Sequence, residues 1–283
     1  MTFSRHGSGL RADAQALASQ VHPVFMLPPI AASWFGSILA GEFDPLLGAL
    51  HMTAIFLAVY TAHVKDGYVD FYVRGEDDDH PLTARGCRLA LLGSSLGFAG
   101  MLGALWLVVG PWAAALTLPG WLIGYHHAPQ LDTNPVTTTT GYPLGIALAI
   151  LGGFYVQTGT LTTVALAFAA VFLVLLSGVK VVDDAQDYDY DRSIEKRTVA
   201  VILGREGARR AAFSIMGFGL LGVLAFAAFG IFPPSAALAV VVFVPVAYFA
   251  YRGTEELATM LLVRGCYVFL AALLVAVYFE PLG

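Results

Sequence analysis

The sequence predicts an all-α protein that crosses a membrane nine times, because its composition, its apolar stretches and its basic residues agree on this fold class. Of its 283 residues, 58% are apolar and only 12% are charged, whereas average soluble domains carry about 25% charged residues. So few charges do not cover the surface of a soluble globule. The net charge of −5 and the lack of a basic region in the sequence give no indication of nucleic-acid binding.

Nine stretches are long and apolar enough to be membrane helices, which need roughly 20 mostly apolar residues. Prolines inside them, such as Pro28 and Pro29, are tolerated where neighbouring helices satisfy the backbone groups left unpaired. The chain is therefore divided into a short N-terminal segment, 1–22, and one membrane domain, 23–283. The nine stretches are about 23–41, 46–64, 86–108, 111–127, 141–158, 161–181, 208–230, 234–252 and 260–279.

The basic residues predict the orientation of these helices. With nine spans, all 15 Lys and Arg residues fall on the N-terminal segment or on connections at the same side of the membrane. The opposite side carries only Glu42, Asp44 and Glu280. The positive-inside rule then predicts an integral cell-membrane protein with its N-terminus in the cytoplasm and its C-terminus outside.

Two acidic clusters lie on the predicted cytoplasmic side, one after the second span and one after the sixth. The first is VKDGYVD, residues 64–70, and the second is VKVVDDAQDYDYD, residues 179–191. Each combines a lysine at the membrane edge with aspartates four residues apart. The acidic run EDDD at 76–79 shares no helical face, so it is interpreted as a solvated loop.

Helical geometry gives the four-residue spacing a meaning, because residues four apart lie one turn up the same face. Asp183, Asp187 and Asp191 are expected to form a ladder along one side of a helix, and Asp66 with Asp70 a shorter one. Like charges at this spacing repel, which implies a nearby source of positive charge. Two facing rows of carboxylates suit Mg²⁺ and a phosphate-bearing substrate, and the lysines and arginines nearby suit the phosphates.

These clusters resemble the two aspartate-rich motifs of the UbiA-type superfamily of intramembrane prenyltransferases. That family has nine helices, with the motifs at the cytoplasmic ends of helices two and six. Its second motif, D-x-x-x-D-x-x-x-D followed by a basic residue and K-T or R-T, is similar to DDAQDYDYDRSIEKRT, residues 183–198. Its first motif, N-x-x-x-D-x-x-x-D, is matched less closely, because Asp66 stands for the asparagine and Arg74 for the last aspartate. Gly75 can end the helix at this point, which would let the acidic residues after it contribute.

Two shorter segments also resemble the family. YHHAPQ, residues 125–130, is similar to the connection Y-S-x-P-P-x-R-x-K between helices four and five, but it lacks the basic residues. GFYVQTG, residues 153–159, is similar to G-x-Y-Y-V-Q-T-G of menaquinone-pathway members that prenylate a dihydroxynaphthoate. The second likeness favours an aromatic quinone precursor as acceptor and leaves a lipid or carotenoid acceptor open.

The resemblance implies nine helices around a central cavity that opens to the cytoplasmic side. It also implies a transferase that moves an isoprenyl group from a polyprenyl diphosphate to a hydrophobic acceptor, with Mg²⁺ as cofactor and pyrophosphate released. The implied ligands are Asp183, Asp187 and Asp191 for one metal ion and Asp66 and Asp70 for another, with Asp66, Asp70, Asp183 and Asp187 as catalytic residues. The implied diphosphate contacts are Lys180, Arg197, Arg74, Arg192 and Tyr125.

Other functions stay open on the sequence alone. A membrane-bound terpene cyclase would use the same aspartates without an acceptor, and the missing basic residues after Tyr125 are compatible with it. A divergent family member with altered diphosphate chemistry is compatible with Arg74. A cation transporter is disfavoured, because transporters place their sites near the bilayer midplane at broken helices, and these span interiors carry almost no charge.

Overall fold

The structure is a computed structural model that describes residues 3–194 and 196–282, apart from the side chains of residues 277 and 278. The predicted domain limits, residues 1 and 283, lie outside the described residues. Within the described residues, every named secondary-structure element is a helix. The one β-type contact there is an isolated bridge between Ser4 and Leu82. The helices are α1 (Leu10–Ala18), α2 (Pro23–Leu39), α3 (Pro45–Val69), α4 (Ala84–Val108), α5 (Pro111–His126), α6 (Pro135–Thr158), α7 (Thr163–Gln186), α8 (Tyr188–Ser193), α9 (Val199–Ala228), α10 (Ala237–Arg252) and α11 (Glu255–Phe279). Two π-helical turns, Asp70–Arg74 and His127–Leu131, follow α3 and α5, and a 3-10 turn, Pro234–Ala236, precedes α10.

Side-chain caps explain where most of the long helices begin. In six cases the residue before the helix accepts a hydrogen bond from a backbone N–H of the first turn, which satisfies a donor that the helix leaves unpaired. The caps are Asp44 of α3, Thr83 of α4, Asn134 of α6, Thr162 of α7, Thr198 of α9 and Thr254 of α11.

Within the residues that the structure describes, seven helical stretches are long and apolar enough to cross a membrane by length and composition, which confirms a polytopic all-α membrane fold. Of the two remaining predicted stretches, α2 is a shorter apolar helix and α5 has 16 residues. The seven stretches are Pro45–Arg74, Ala84–Val108, Pro135–Thr158, Thr163–Gln186, Val199–Ala228, Pro234–Arg252 and Glu255–Ala276.

Several helices extend past the apolar stretches on which their prediction was based. α6 begins at Pro135 rather than at residue 141, because a helix accommodates threonines whose hydroxyls donate to carbonyls of the preceding turn. The hydroxyl of Thr140 donates to the carbonyl of Val136 at 2.7 Å, and that of Thr137 to the carbonyl of Asn134 at 3.3 Å. α9 begins at Val199 rather than at 208 and is kinked at Gly204, whose φ of 72° is accessible to glycine.

α7 is the central helix of the bundle. In its apolar window 67% of the residues are buried within the protein, compared with 17% in α4. It packs against α6 and α9, and its Phe168 stacks on Phe232 with ring centroids 4.0 Å apart. Because α7 also carries the second acidic cluster at its end, the cluster is anchored to the most enclosed element of the fold.

The first turn of α2 is held by side chains from other helices. Pro28 and Pro29 have no N–H, so the carbonyls four residues earlier, on Val24 and Phe25, lose their helical donors. The hydroxyl of Tyr142 in α6 donates to the carbonyl of Phe25 at 2.9 Å, and the hydroxyl of Tyr267 in α11 donates to the carbonyl of Val24. Neighbouring helices therefore satisfy the backbone groups that the two prolines leave unpaired.

A buried histidine fixes the contact between α3, α2 and α6. His51 is fully buried, and its Nδ1 lies 2.7 Å from the hydroxyl of Ser33. The other ring nitrogen, Nε2, points at the backbone of Gly152, where an added Cβ would lie only 2.2 Å away. A small residue at this position lets the helix backbones approach closely.

We expect Gly152→Ala to destabilise the protein by about 1–3 kcal/mol, because the new methyl group would overlap the imidazole of His51 in a packed core. Thermal unfolding in detergent, followed by helical circular dichroism, measures the effect. Gly100→Ala is the matched control, because nothing lies within 4 Å of a Cβ built there. Equal stability of the two variants would contradict the packing described.

Candidate active site

A cavity of about 350 Å³ lies among α2, α3, α5, α6, α7 and α11. One part of its lining is charged and polar, and the rest is apolar or glycine. This combination suits a ligand with a charged head and an apolar tail. The polar lining residues are His22, His63, Asp66, His127, Tyr142, Lys180 and Asp183.

One face of α3 runs along this cavity, and its chemistry changes along the helix. Residues 55, 58, 59, 62, 63 and 66 line the cavity and recur at the three- and four-residue spacing of a single helical face. The first four are Ile, Ala, Val and Ala; the last two are His63 and Asp66. The polar end of the cavity is therefore at the end of α3 that the sequence predicts to be cytoplasmic.

The end of α3 holds an arginine that is already bound to carboxylates. The helix continues into the π turn and ends at Gly75, with φ 65° and ψ 32°, as the glycine predicted. Nη1 of Arg74 lies 2.7 Å from Oδ2 of Asp132 and 3.4 Å from Oδ1 of Asp70. The side chains of Arg74 and Asp132 are only 15% and 7% exposed, so the guanidinium is held in place. The loop 76–79 is exposed, as predicted.

On α7, the lysine of the second cluster is bound to two aspartates. Nζ of Lys180 lies 2.8 Å from Oδ2 of Asp183 and 2.7 Å from Oδ1 of Asp184. Asp184 is buried, and its other oxygen has no hydrogen-bond partner among the described residues. Asp183 and Lys180 line the cavity, whereas Asp184 binds Lys180 from outside the cavity lining.

The ladder predicted for Asp183, Asp187 and Asp191 on one helix is wrong. α7 ends at Gln186, Asp187 has φ −90° and ψ 15°, and the chain restarts as the short α8. A helix carries partial negative charge at its C-terminus, so aspartates in the last turn are unfavourable there. Asp183 faces the cavity and Asp187 is exposed, while Asp191 is 1% exposed.

Asp191 contacts a lysine rather than the cavity. Its Oδ1 lies 3.3 Å from Nζ of Lys196, and its carbonyl accepts a hydrogen bond from the backbone N–H of Lys196 at 2.9 Å. Burial raises the pKa of Asp191, and the charge of Lys196 opposes that rise. This pair joins α8 to the segment that connects it to α9.

The two acidic clusters do come together, as the sequence predicted. Asp66 and Asp183 line the same cavity. Beside it, Tyr190 of α8 is close to the residues that follow α3: burial, followed by a hydrogen bond with Glu76, raises the pKa of Tyr190 to about 12. α8 is therefore in contact with Glu76, in the loop that follows the π turn after α3.

Four of the five predicted diphosphate contacts lie outside the cavity lining: Arg74, described above, and Tyr125, Arg192 and Arg197. Arg192 and Arg197 are exposed. Tyr125 stacks on Trp121, with centroids 5.1 Å apart, and the ammonium group of Lys65 lies 5.1 Å from its ring centre. This cation–π contact joins α5 to α3.

The GFYVQTG segment is far from the polar end of the cavity. It lies at the end of α6, next to the connection between α2 and α3. The side chain of Gln157 accepts a hydrogen bond from the N–H of Asp44 at 2.8 Å and donates one to its carbonyl at 3.0 Å. A Cβ on Gly153 would lie 2.1 Å from the carbonyl oxygen of Ser33. These contacts give the segment a packing role.

Sequence reasoning missed three residues of the site: His22, His63 and Asp132. His63 could have been found, because it precedes Asp66 by three residues and shares its helical face. His22 precedes α2 and Asp132 lies between α5 and α6, and only the tertiary fold brings them to the site.

Both acidic clusters offer carboxylates that suit a Mg²⁺ ion. Mg²⁺ takes one or two carboxylates and completes its octahedron with water and phosphate. Asp66 and Asp183 line the cavity, while Asp187 is exposed and lies outside its lining. Asp70 contacts Arg74, and Asp183 contacts Lys180. Within the described part of the chain, no three His, Cys, Asp or Glu side chains form a group that could hold a metal ion by themselves.

Solved structures of several membrane proteins share this fold. A digeranylgeranylglyceryl phosphate synthase is 14% identical, with a TM-score of 0.70 over 95% of this chain and 98% of that chain. A UbiA homologue from Archaeoglobus fulgidus bound to GPP and Mg²⁺ is 14% identical, with a TM-score of 0.61 over 95% and 99%. A UbiA homologue from Aeropyrum pernix K1 is also 14% identical, with a TM-score of 0.62 over 88% and 98%. No curated protein sequence matches this chain.

Fold and cavity define an all-helical membrane protein with an aspartate- and lysine-lined site at one end of its bundle. The model of the UbiA prenyltransferase family matches residues 26–273. The chain belongs to this family.

We expect Lys196→Met to lower the free energy of unfolding by about 2 kcal/mol, because it leaves the carboxylate of Asp191 buried without its counter-charge. Fully buried pairs lose roughly 3–5 kcal/mol on such a change, and Lys196 keeps 18% of its side chain exposed. Unfolding in detergent measures the loss. The neighbouring Arg197→Met is the matched control, because Arg197 is exposed; equal behaviour of both variants would contradict the structural role of the pair.

Proposed function

We propose that this protein transfers an isoprenyl group from a polyprenyl diphosphate to a hydrophobic acceptor and releases pyrophosphate. The observation that carries this proposal is the cavity itself, which has carboxylates and a lysine at one end and apolar walls behind them. It has the chemistry of an amphiphilic donor: a diphosphate for the charged end and an isoprenoid chain for the walls. Family membership over residues 26–273 supports the same reaction class.

The diphosphate would lie between Asp66 of α3 and Lys180 and Asp183 of α7. Two carboxylates already bind Lys180, which fixes its ammonium group without using all of its three donors. We assign Mg²⁺ chiefly to Asp183 and Asp187, with Asp66 opposite. When bound, the ion supplies positive charge that stabilises the departing pyrophosphate.

Of the remaining predicted contacts, we assign the exposed Arg192 and Arg197 to attraction of the diphosphate at the rim. Arg74 is bound by Asp70 and Asp132, so we assign it to positioning: through Asp132 it holds the connection that carries His127 against the end of α3. Tyr125 supports the same connection from α5. Asp191 keeps the α8–α9 segment closed and is not assigned to the metal.

We place nine spans in the membrane and the site on the cytoplasmic side, with the N-terminus inside and the C-terminus outside. The support is the distribution of Lys and Arg along the chain. An aromatic quinone precursor is one acceptor of the proposed class. The GFYVQTG segment does not help to choose it, because Gln157 binds the α2–α3 connection rather than the cavity.

We expect the purified protein in detergent to release pyrophosphate from isoprenyl diphosphates when Mg²⁺ is present and to lose this activity in EDTA. Asp187→Ala should lower the rate by at least about 100-fold if its carboxylate helps to stabilise the leaving group. Asp78→Ala, in the exposed loop 76–79, is the matched control and should keep the rate. A coupled pyrophosphate assay with donors of several chain lengths makes the measurement.

Product analysis by mass spectrometry distinguishes the outcomes of that assay. Release that depends on an added acceptor and yields a prenylated product supports transfer. Rapid release with a cyclised hydrocarbon and no acceptor would instead identify a terpene cyclase. Folded protein that neither binds nor cleaves any donor would contradict the proposal.

A further inference from the structure

We propose that His63, flanked by His22 and His127, takes up the proton of the acceptor, and that these three histidines form a subsite for an acceptor with an ionisable hydroxyl group. The inference rests on the proposed function and specifies the chemical class of its acceptor.

The first observation is that three imidazoles from three separate elements meet at one cavity. His22 directly precedes α2, His63 lies in α3, and His127 begins the π turn after α5. The rings of His22 and His63 are in edge contact, with centroids 4.8 Å apart and planes at 66°. His127 is close enough to interact electrostatically with His63. The grouping is therefore a product of the tertiary fold.

The second observation is that the protein does not use these ring nitrogens itself. Among the described residues, none of the three rings makes a hydrogen bond or an ion pair, and His22 stands at the N-cap of α2 without capping it. Histidines elsewhere do have polar partners: His51 contacts the hydroxyl of Ser33, and His80 contacts the thiol of Cys87. Nitrogens left without a protein partner at a cavity wall are available to a ligand.

The third observation is the position of His63 along α3. It lies about one turn deeper than Asp66 on the cavity face, and the next lining residue on that face is apolar. The imidazole therefore stands where the charged end of the cavity meets its apolar wall. In the proposed donor, the carbon that reacts is at this same junction, between the diphosphate and the isoprenoid chain.

The residues around His63 favour a base over an anion-binding cation. Its face of α3 continues with Ala62 and Val59, and apolar surroundings disfavour a charged imidazolium. A neutral imidazole has one nitrogen with a free lone pair, which accepts a proton or a hydrogen bond. Lys180 already supplies a cation for the diphosphate, so the histidines are left for the second substrate.

With His63 as the base, the bonds broken and formed in the transfer reaction balance. The C1–O bond of the donor breaks, and its electron pair leaves with pyrophosphate. A new bond forms between C1 and the acceptor, using an electron pair of the acceptor. The hydroxyl group of the acceptor loses its proton to His63, which carries it as imidazolium until water takes it. An acceptor without an ionisable hydroxyl gives this base no proton to remove.

The test compares His63→Phe, His127→Phe and the matched control His126→Phe, which changes the exposed neighbour of His127. Phenylalanine keeps a ring in place but removes the nitrogens. Each protein is assayed for Mg²⁺-dependent pyrophosphate release without acceptor, and for transfer to 1,4-dihydroxy-2-naphthoate, naphthols and long-chain alcohols, each beside its methyl ether. Loss of a general base typically lowers a rate by about 100-fold or more, so we expect that loss in transfer for His63→Phe.

In His63→Phe, transfer should fall far more than acceptor-free release, because only transfer requires removal of the acceptor's proton. His127→Phe should raise KM for the acceptor more than it lowers kcat, His126→Phe should change neither, and no methyl ether should be prenylated. Equal transfer by His63→Phe and wild type would overturn the inference, as would prenylation of a methyl ether, or release without transfer to any hydroxylated compound. Complete failure of release in the wild type would instead refute the proposed function.

Discussion

Repulsion among carboxylates at a membrane edge is the constraint on which the rest of this site depends. Asp66, Asp70, Asp183, Asp184 and Asp187 are crowded around one end of the bundle, where like charges are costly. Cations that are bound in place offset this repulsion. Lys180 lies between two aspartates of α7, Arg74 between Asp70 and Asp132, and Lys196 against Asp191. The fold therefore keeps an acidic site assembled from its own residues, before any substrate or metal arrives.

Periodic features of the site were predictable from the sequence, because they depend on one helix at a time. The apolar stretches predicted the helices, and Gly75 predicted the end of the turn after α3. The positions of the two clusters, after the second and the sixth predicted span, placed Asp66 and Asp183 at one end of the bundle. The break of the helix within the second motif, between α7 and α8, was not predictable in this way. Periodicity assumes a continuous helix, and the aspartates at the C-terminus of α7 oppose the helix dipole that such a helix would have.

Partners contributed by connections could not be read from local sequence. Asp132 and His127 follow α5, and His22 precedes α2; only the packing of these helices on α3 brings them to Arg74 and His63. The GFYVQTG segment shows the converse. It is a conspicuous stretch of sequence, but Gly153 serves the close approach of α2 and α6, and Gln157 binds the α2–α3 connection. Resemblance of a segment does not by itself distinguish packing from substrate recognition.

The prolines of α2 have a consequence for how one wall of the cavity is held. Pro28 and Pro29 line the cavity, and the carbonyls that they leave unpaired are bonded by Tyr142 and Tyr267 of two other helices. Those two carbonyls are thus bonded to neighbouring helices rather than within the backbone ladder of α2. The wall of the cavity at this turn therefore depends on hydroxyl groups from α6 and α11, so three helices together set its shape.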